Sequence, residues 1–234
     1  SYINEIKKKE KDVGAWEFFD EELAITQAKK ADLLHQSGNH GDLHGIPVGV
    51  KDIFDTSDMP TADGTEIHKK NPSLDDCTVV SKLKQAGAVI MGKTVTCELA
   101  YYSPGKTKNP HDLKRTPGGS SSGSAAAVAS HMVPLAVGSQ TNGSVIRPAS
   151  YCGVVGYKPT RGLVSRHLVL QVSRKLDQIG VFSNSVEDAA LISEQLIGND
   201  TQDTDTTLNP KPKLLEACQK KPPIEPVFAY IKLP

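Results

Sequence analysis

The chain has 234 residues, and its 27 Lys+Arg are matched by 27 Asp+Glu, so the formal charge is zero. A neutral chain carries no electrostatic footprint for nucleic acid or an anionic membrane surface, so neither is expected as a partner. Its 38% apolar content fits a globular protein, and no run approaches the ~18 consecutive apolar residues of a membrane helix.

The length admits one large domain or two small ones. Ser1 to Lys11 is polar and Lys-rich with no apolar stretch behind it, so no signal peptide is expected. Four cysteines (Cys77, Cys97, Cys152, Cys218) show no C-x-x-C spacing and read as free thiols of a reducing compartment, hence a cytoplasmic location. His40 and His44 stand four apart, but Gly41 and Gly45 argue against a helix there, and no metal site is expected.

In chain order, Ala15 to Gln36 predicts an amphipathic helix, with Trp16, Phe19, Leu23 and Leu34 on its apolar side and Gly38 as its stop. Ile46 to Phe54 (IPVGVKDIF) predicts a buried strand holding one cation, Lys51. Asp76 to Gly87 predicts a helix capped by Asp75 or Asp76, followed by a strand over Ala88 to Met91. Ser103 to Gly123 is a Pro/Gly/Ser-rich loop leading into an Ala-rich helix over Ser124 to His131. Val133 to Val137 predicts a strand, Ser139 to Ser150 a second Gly/Ser/Asn loop, and Gly153 to Tyr157 another apolar run. Ser185 to Leu196 predicts a helix with Ser185 as its N-cap and Gly198 past its end. Residues 199–223 predict a linker or surface loop, and 226–233 (PVFAYIKL) the start of a further strand. Helices alternating with strands give an α/β fold with a mixed, mostly parallel sheet layered with helices.

Two pattern matches are decoys. Gly87 to Thr94 satisfies G-x-x-x-x-G-K-[ST], but Ala, Val, Ile and Met between the glycines make a buried strand rather than a phosphate-cradling turn. Ser81-Lys-Leu-Lys84 matches S-x-x-K inside an amphipathic helix without its companion motifs.

The informative residues are Lys51 in an apolar strand, Ser120 in a Gly/Ser loop before an Ala-rich helix, and Ser144 in Gly138-Ser-Gln-Thr-Asn-Gly-Ser144-Val-Ile-Arg-Pro-Ala149. A cation in such a strand must snorkel, pair or work. Singly, each has a plain reading: Lys51 ends a strand or pairs with Asp52, and the Gly/Ser loop is a flexible link.

Together, Gly45-Ile-Pro-Val-Gly-Val-Lys51-Asp52, Pro117 to Val128 and the Ser144 loop resemble the amidase signature family. The resemblance continues through Cys152 to Val164 and Ser185 to Ala190, covering about Gly45 to Gly198 in order. It implies a large mixed α/β sheet between helical layers and hydrolysis of an amide C–N bond. By position in the motifs, the family's lysine falls on Lys51, its bridging serine on Ser120 and its nucleophile on Ser144, at the serine separation that the family keeps. Ser121 and Ser122 are the weaker candidates for the bridge. The loop Thr141-Asn142-Gly143 is the expected oxyanion hole. No cofactor and no metal are implied.

The common loop of the family reads G-[ST]-D-T-G-G-S-I-R-x-P-A. Here Gln140 stands in place of Asp, Asn142 in place of a Gly, and Arg147 three residues after the serine rather than two. Asn tolerates positive φ less freely than Gly. The S-V-I-R-P arrangement is similar to a subgroup acting on small polar amides. Arg147 has two readings: a brace on a carbonyl, or a bidentate clamp on a substrate carboxylate. The resemblance also implies that 1–234 is the N-terminal half of a single domain whose C-terminal part is missing. Hydrolysis of a small linear amide is the leading expectation, with a small-molecule substrate as partner and a homodimer left open. The alternatives are the amidase-like component of a glutamine-dependent amidotransferase and a non-catalytic fragment.

Overall fold

The computed structural model describes residues 1–36, 38, 40–68, 73–208 and 210–230. The Lys-rich N-terminus forms a helix, α1 (Tyr2–Val13), which buries Ile6 and Val13 and ends at Gly14 in the left-handed conformation. Ala15 to Gln36 is not one helix. Its first part is strand β1 (Trp16–Phe19), and helix α2 (Glu21–Gln36) follows. The reason is local: Asp20 accepts a hydrogen bond from Leu23 N at 3.0 Å and so starts α2 there. Trp16 and Phe19 are thereby freed to pair along a neighbouring strand.

The remaining elements are β2 (Pro47–Lys51), α3 (Thr78–Gln85), β3 (Val89–Thr94), α4 (Ser122–Ala129), β4 (Leu135–Gln140), α5 (Ile146–Cys152), β5 (Val155–Tyr157), β6 (Gln178–Ser183), α6 (Val186–Leu196) and α7 (Leu214–Cys218). Several boundaries differ from the expectations. Helix α3 is capped at Cys77, because Asp76 is engaged by Lys84 Nζ at 2.8 Å and Ser57 N at 2.8 Å. The Ser139–Ser150 loop is short, since β4 extends to Gln140 and α5 starts at Ile146. Strand β6 is unmarked in the sequence. Helix α7 interrupts the expected 199–223 loop. Residues 226–230 form no strand, and 231–233 lie outside the described residues. Ser185 caps α6 as expected, its hydroxyl accepting from Asp188 N at 3.1 Å.

The six strands form one sheet in the order β1-β3-β2-β4-β6-β5. The centre, β3-β2-β4, is parallel, and β1, β6 and β5 pair antiparallel on the flanks. Period-two alternation divides the core into two faces. Val48, Val50, Ile90, Leu135 and Val137 join Val80, Leu83 and Ile192 of α3 and α6. Val89, Met91, Ala136 and Phe182 join Ile6, Trp16 and the alanines of α4. Helix α4 is buried from Ser122 through Val128. Its small residues let it lie against the sheet, and at Gly123 a Cβ would fall 2.3 Å from Ala15 O and Val95 N. The Gly87–Thr94 decoy is the buried strand β3.

Candidate active site

The parallel strands β2, β3 and β4 end on one edge of the sheet, the edge where α/β folds place their ligands. Lys51 is the last residue of β2 and is 0% exposed. Its Nζ lies 2.8 Å from Ser120 Oγ and 2.9 Å from Ser139 Oγ. Burial pushes the Lys51 amine down to about 7, against the opposing pull of Cys97 and Asp177. A lysine at that value is largely able to accept a proton near neutrality.

Ser120 is held in the turn before α4. Its neighbours are committed elsewhere: Ser121 Oγ bonds Ser139 O at 3.1 Å, and Ser122 Oγ bonds Val95 O at 3.3 Å. Of these three serines, Ser120 is the one that meets Lys51. Gly138 in β4 leaves room for the neighbouring Ser121, since a Cβ there would sit 2.6 Å from Ser121 Oγ.

Ser144 is 7% exposed, and its carbonyl accepts from Ser121 N at 3.3 Å, which joins the two serine loops. Among the described residues, the Ser144 hydroxyl makes no hydrogen bond. The fold thus brings Lys51 and Ser120 into direct contact and places Ser144 alongside without a formed link to Ser120. Such links commonly tighten only once substrate is bound.

The turn from Thr141 to Ser144 presents its backbone N–H groups unused; among the described residues none donates a hydrogen bond within the chain. Asn142 and Gly143 both have φ outside the positive range, so the Gly-to-Asn difference at 142 brings no left-handed strain. Gln140, which stands where the family pattern has Asp, caps α5: its Oε1 accepts from Val145 N at 2.9 Å and Ile146 N at 3.0 Å. Thr141 Oγ1 donates to Asp177 Oδ1 at 2.6 Å.

Arg147 is exposed on the first turn of α5, and its Nε donates to Gly119 O at 3.1 Å. The brace reading is therefore realised. Among the described residues its two terminal nitrogens make no hydrogen bond, so the same side chain keeps a free fork for a ligand. A cavity of about 50 Å³ joins Arg147 and Ser144 to Ala100, Tyr101, Tyr102, Asn142 and Val172. Tyr101 and Tyr102 meet edge-on at 4.6 Å between centroids. The rim is strained, because Leu99 and Ala100 take φ of 49° and 55° without being glycine.

Behind Lys51 lies a buried ion pair, Lys93 Nζ to Asp52 Oδ1 at 3.4 Å. Burial raises Asp52 to about 6 against the pull of Lys93, and burial lowers Lys93. Asp52 is thus matched with Lys93 rather than with Lys51. All four cysteines are free thiols, and Cys77, Cys97 and Cys152 are buried. Among the described residues, no group of three or more His, Cys, Asp and Glu could hold a metal ion. His40 and His44 instead stack with His35 at centroid distances of 5.1 to 5.5 Å. No helix among the described residues is long and apolar enough to cross a membrane.

Ser139 and Asp177 are the site residues that the sequence did not mark. Ser139 stands near the end of β4 and meets Lys51 at the end of the neighbouring β2, a contact set by strand pairing and not by any local pattern. Asp177 is placed by β6, which is itself unmarked.

A buried lysine bonded to a serine, with a second serine and a turn of free amides beside it, thus stands at the strand ends of an α/β sheet. The amidase family model matches residues 1–232, and the chain belongs to that family. It is 43% identical over 208 residues to the glutamyl-tRNA(Gln) amidotransferase A subunit of Legionella pneumophila, covering 86% of this chain and 43% of that protein. Among solved structures, it superposes on a protein from work on a vestigial complex and the origins of an s-triazine catabolic enzyme. That match has a TM-score of 0.87 and 35% identity, and covers 92% of this chain and 49% of the other. It also superposes on the peptide amidase of Stenotrophomonas maltophilia, with a TM-score of 0.85 and 32% identity over 91% of this chain and 46% of that one. The chain spans under half the length of the curated relatives it matches.

Proposed function

We propose that this protein hydrolyses the C–N bond of a small linear amide, with Lys51, Ser120 and Ser144 as its proton relay and nucleophile. The observation that carries this reading is the fully buried Lys51 bonded to Ser120. Neutral Lys51 takes the Ser120 proton as Ser120 takes that of Ser144, a hydroxyl being able to donate and accept at once. Ser144 Oγ then attacks the amide carbon. The free N–H groups of the Thr141-Asn142-Gly143 turn serve the oxyanion, where one such donor is worth ~2.7–4 kcal/mol. The proton held on Lys51 returns through Ser120 to the departing nitrogen, which leaves as ammonia. Water, deprotonated along the same path, then frees the acid from Ser144. Buried free thiols support a cytoplasmic location.

The free fork of Arg147 beside Ser144 supports an amide that bears a carboxylate. The similarity to the Legionella amidotransferase favours a second reading, in which the amide is glutamine and the ammonia passes to a partner reaction.

Ammonia release is the test, measured on propionamide, malonamate, succinamate and glutamine, with Ser144→Ala as control. Turnover of the short acidic amides that Ser144→Ala abolishes is expected. Arg147→Ala should raise KM for them roughly tenfold or more while sparing propionamide. Equal damage to both classes would retire the carboxylate clamp. Turnover confined to glutamine would select the second reading, and no Ser144-dependent ammonia from any of them would remove the hydrolase.

A further inference from the structure

We propose that Asp177 is a positioning residue, whose carboxylate holds the Thr141 hydroxyl and thereby fixes the turn that carries the free amides and Ser144. The inference rests on the Ser144 reading above. Strands β4 and β6 run antiparallel, and their last pair is Gln140 with Gln178. The next position of that register sets Thr141 opposite Asp177, so the contact extends the ladder past its end with side chains. Asp177 is 8% exposed, and both of its oxygens are used. Oδ1 accepts from Thr141 Oγ1 at 2.6 Å, a short charge-assisted bond. Oδ2 accepts from Val172 N and Ser173 N at 2.7 Å each.

The turn has few other restraints. Downstream it is tied by Gln140 at the start of α5, by Arg147 N to Gly143 O at 2.8 Å and by Ser121 N to Ser144 O at 3.3 Å. Upstream, among the described residues, the N–H groups of Thr141, Asn142 and Gly143 donate no hydrogen bond, so the Thr141 side chain is the tether there. A row of donors aimed at an oxyanion helps only if it is already in place, and a shift near 1 Å costs on the order of a hundredfold in rate. The Asp177 charge also acts on the amine, favouring its charged form. The titratable groups that face Lys51 are Cys97, just after β3, and Asp177, just before β6. Loss of the Asp177 charge favours the neutral amine and moves the acid limb of Ser144 reactivity to lower pH. Loss of the Thr141 hydroxyl has no such effect.

The test follows covalent capture of Ser144 by an alkyl fluorophosphonate in the full-length protein, read by intact mass and by rate across pH. In this step the Ser144 Oγ–P bond forms, fluoride leaves, and the serine proton passes to Lys51. Thr141→Val and Asp177→Ala are each expected to slow capture roughly ten- to hundredfold. If they act through one contact, the double variant is no slower than the slower single. Thr141→Ser, which keeps the hydroxyl, should stay within about threefold of the parent. Only Asp177→Ala should move the acid limb, and downward. Capture at the parent rate in Thr141→Val, or losses that multiply in the double variant, would overturn the inference while leaving Ser144 as nucleophile. Absence of capture at Ser144 in the parent itself would overturn both.

Discussion

Lys51 is costly to the fold and necessary to the proposed chemistry for one physical reason, the absence of water around its amine. Burial lowers it from 10.5 to about 7, while the unfolded chain keeps the ordinary value. Between those two values the unfolded state binds a proton that the folded state does not, so stability rises with pH across that window. Below about 7 the cost is constant, and above 10.5 it vanishes. Lys51→Met should therefore raise the thermal midpoint near pH 7 by several degrees, with the gain shrinking as pH climbs towards 10.5. The same change should lower amide turnover roughly a thousandfold or more. Paired melting curves at pH 7 and 10 decide the matter: an equal shift at both would mean that the amine is not the source of the cost. In the parent, turnover should rise with pH through a limb centred at about 7, because the neutral amine is the working form.

At the scale of elements, α4 shows how glycine and alanine set the site. The helix approaches the sheet closely enough that Gly123 faces Ala15 O and Val95 N, each 2.3 Å from where a Cβ would stand. Both are backbone atoms and cannot swing aside. Gly123→Ala should cost roughly 1–3 kcal/mol by overpacking, and should loosen Ser120 just before the helix. Urea unfolding with ammonia release on the same samples checks both effects. Unchanged stability would show that α4 can lift without penalty. The residue pattern revealed α4 and α6 well, since an Ala run and a Ser-capped acidic turn are local signals. It singled out Lys51 as a cation in an apolar strand and Ser120 and Ser144 as serines of Gly/Ser loops. It misplaced β1, because four residues, three of them aromatic, adjoining a helix show no period that separates them from it. It missed β6, a short strand broken by Gly180, and with it Asp177, whose place depends on pairing across some forty residues. The second partner of Lys51, Ser139, likewise belongs to register rather than to local sequence.

Across the whole molecule, the segment after α6 is clamped back onto the site wall. Arg166 lines the hollow next to Thr141 and Asp177. Its Nη2 reaches Asp203 Oδ1 at 3.0 Å and its Nε reaches Asp203 Oδ2 at 3.0 Å, with Asp205 on the same guanidinium. Asp200 adds bonds from Thr78 and Ser165, both at 2.6 Å, so the turn at 200–206 ties α3 to the segment that leads into β6. Burial pushes Asp203 up, but the Arg166 bonds outweigh it and hold the carboxylate below its ordinary range. A depressed carboxylate contributes stability that is present above the unfolded value near ~4 and is lost as pH falls below it. The clamp should thus open once pH falls below ~4, before the sheet does, because a contact made of ion pairs opens at lower cost than a packed core. Arg166→Ala should open it at neutral pH. Limited proteolysis with mass mapping should then find new cuts between Asn199 and Leu208 in the variant, and in the parent only once pH falls below ~4. A variant whose 199–208 segment resists protease as the parent does at pH 7 would mean that Asp200 and its two hydroxyl partners suffice to hold the turn without the arginine.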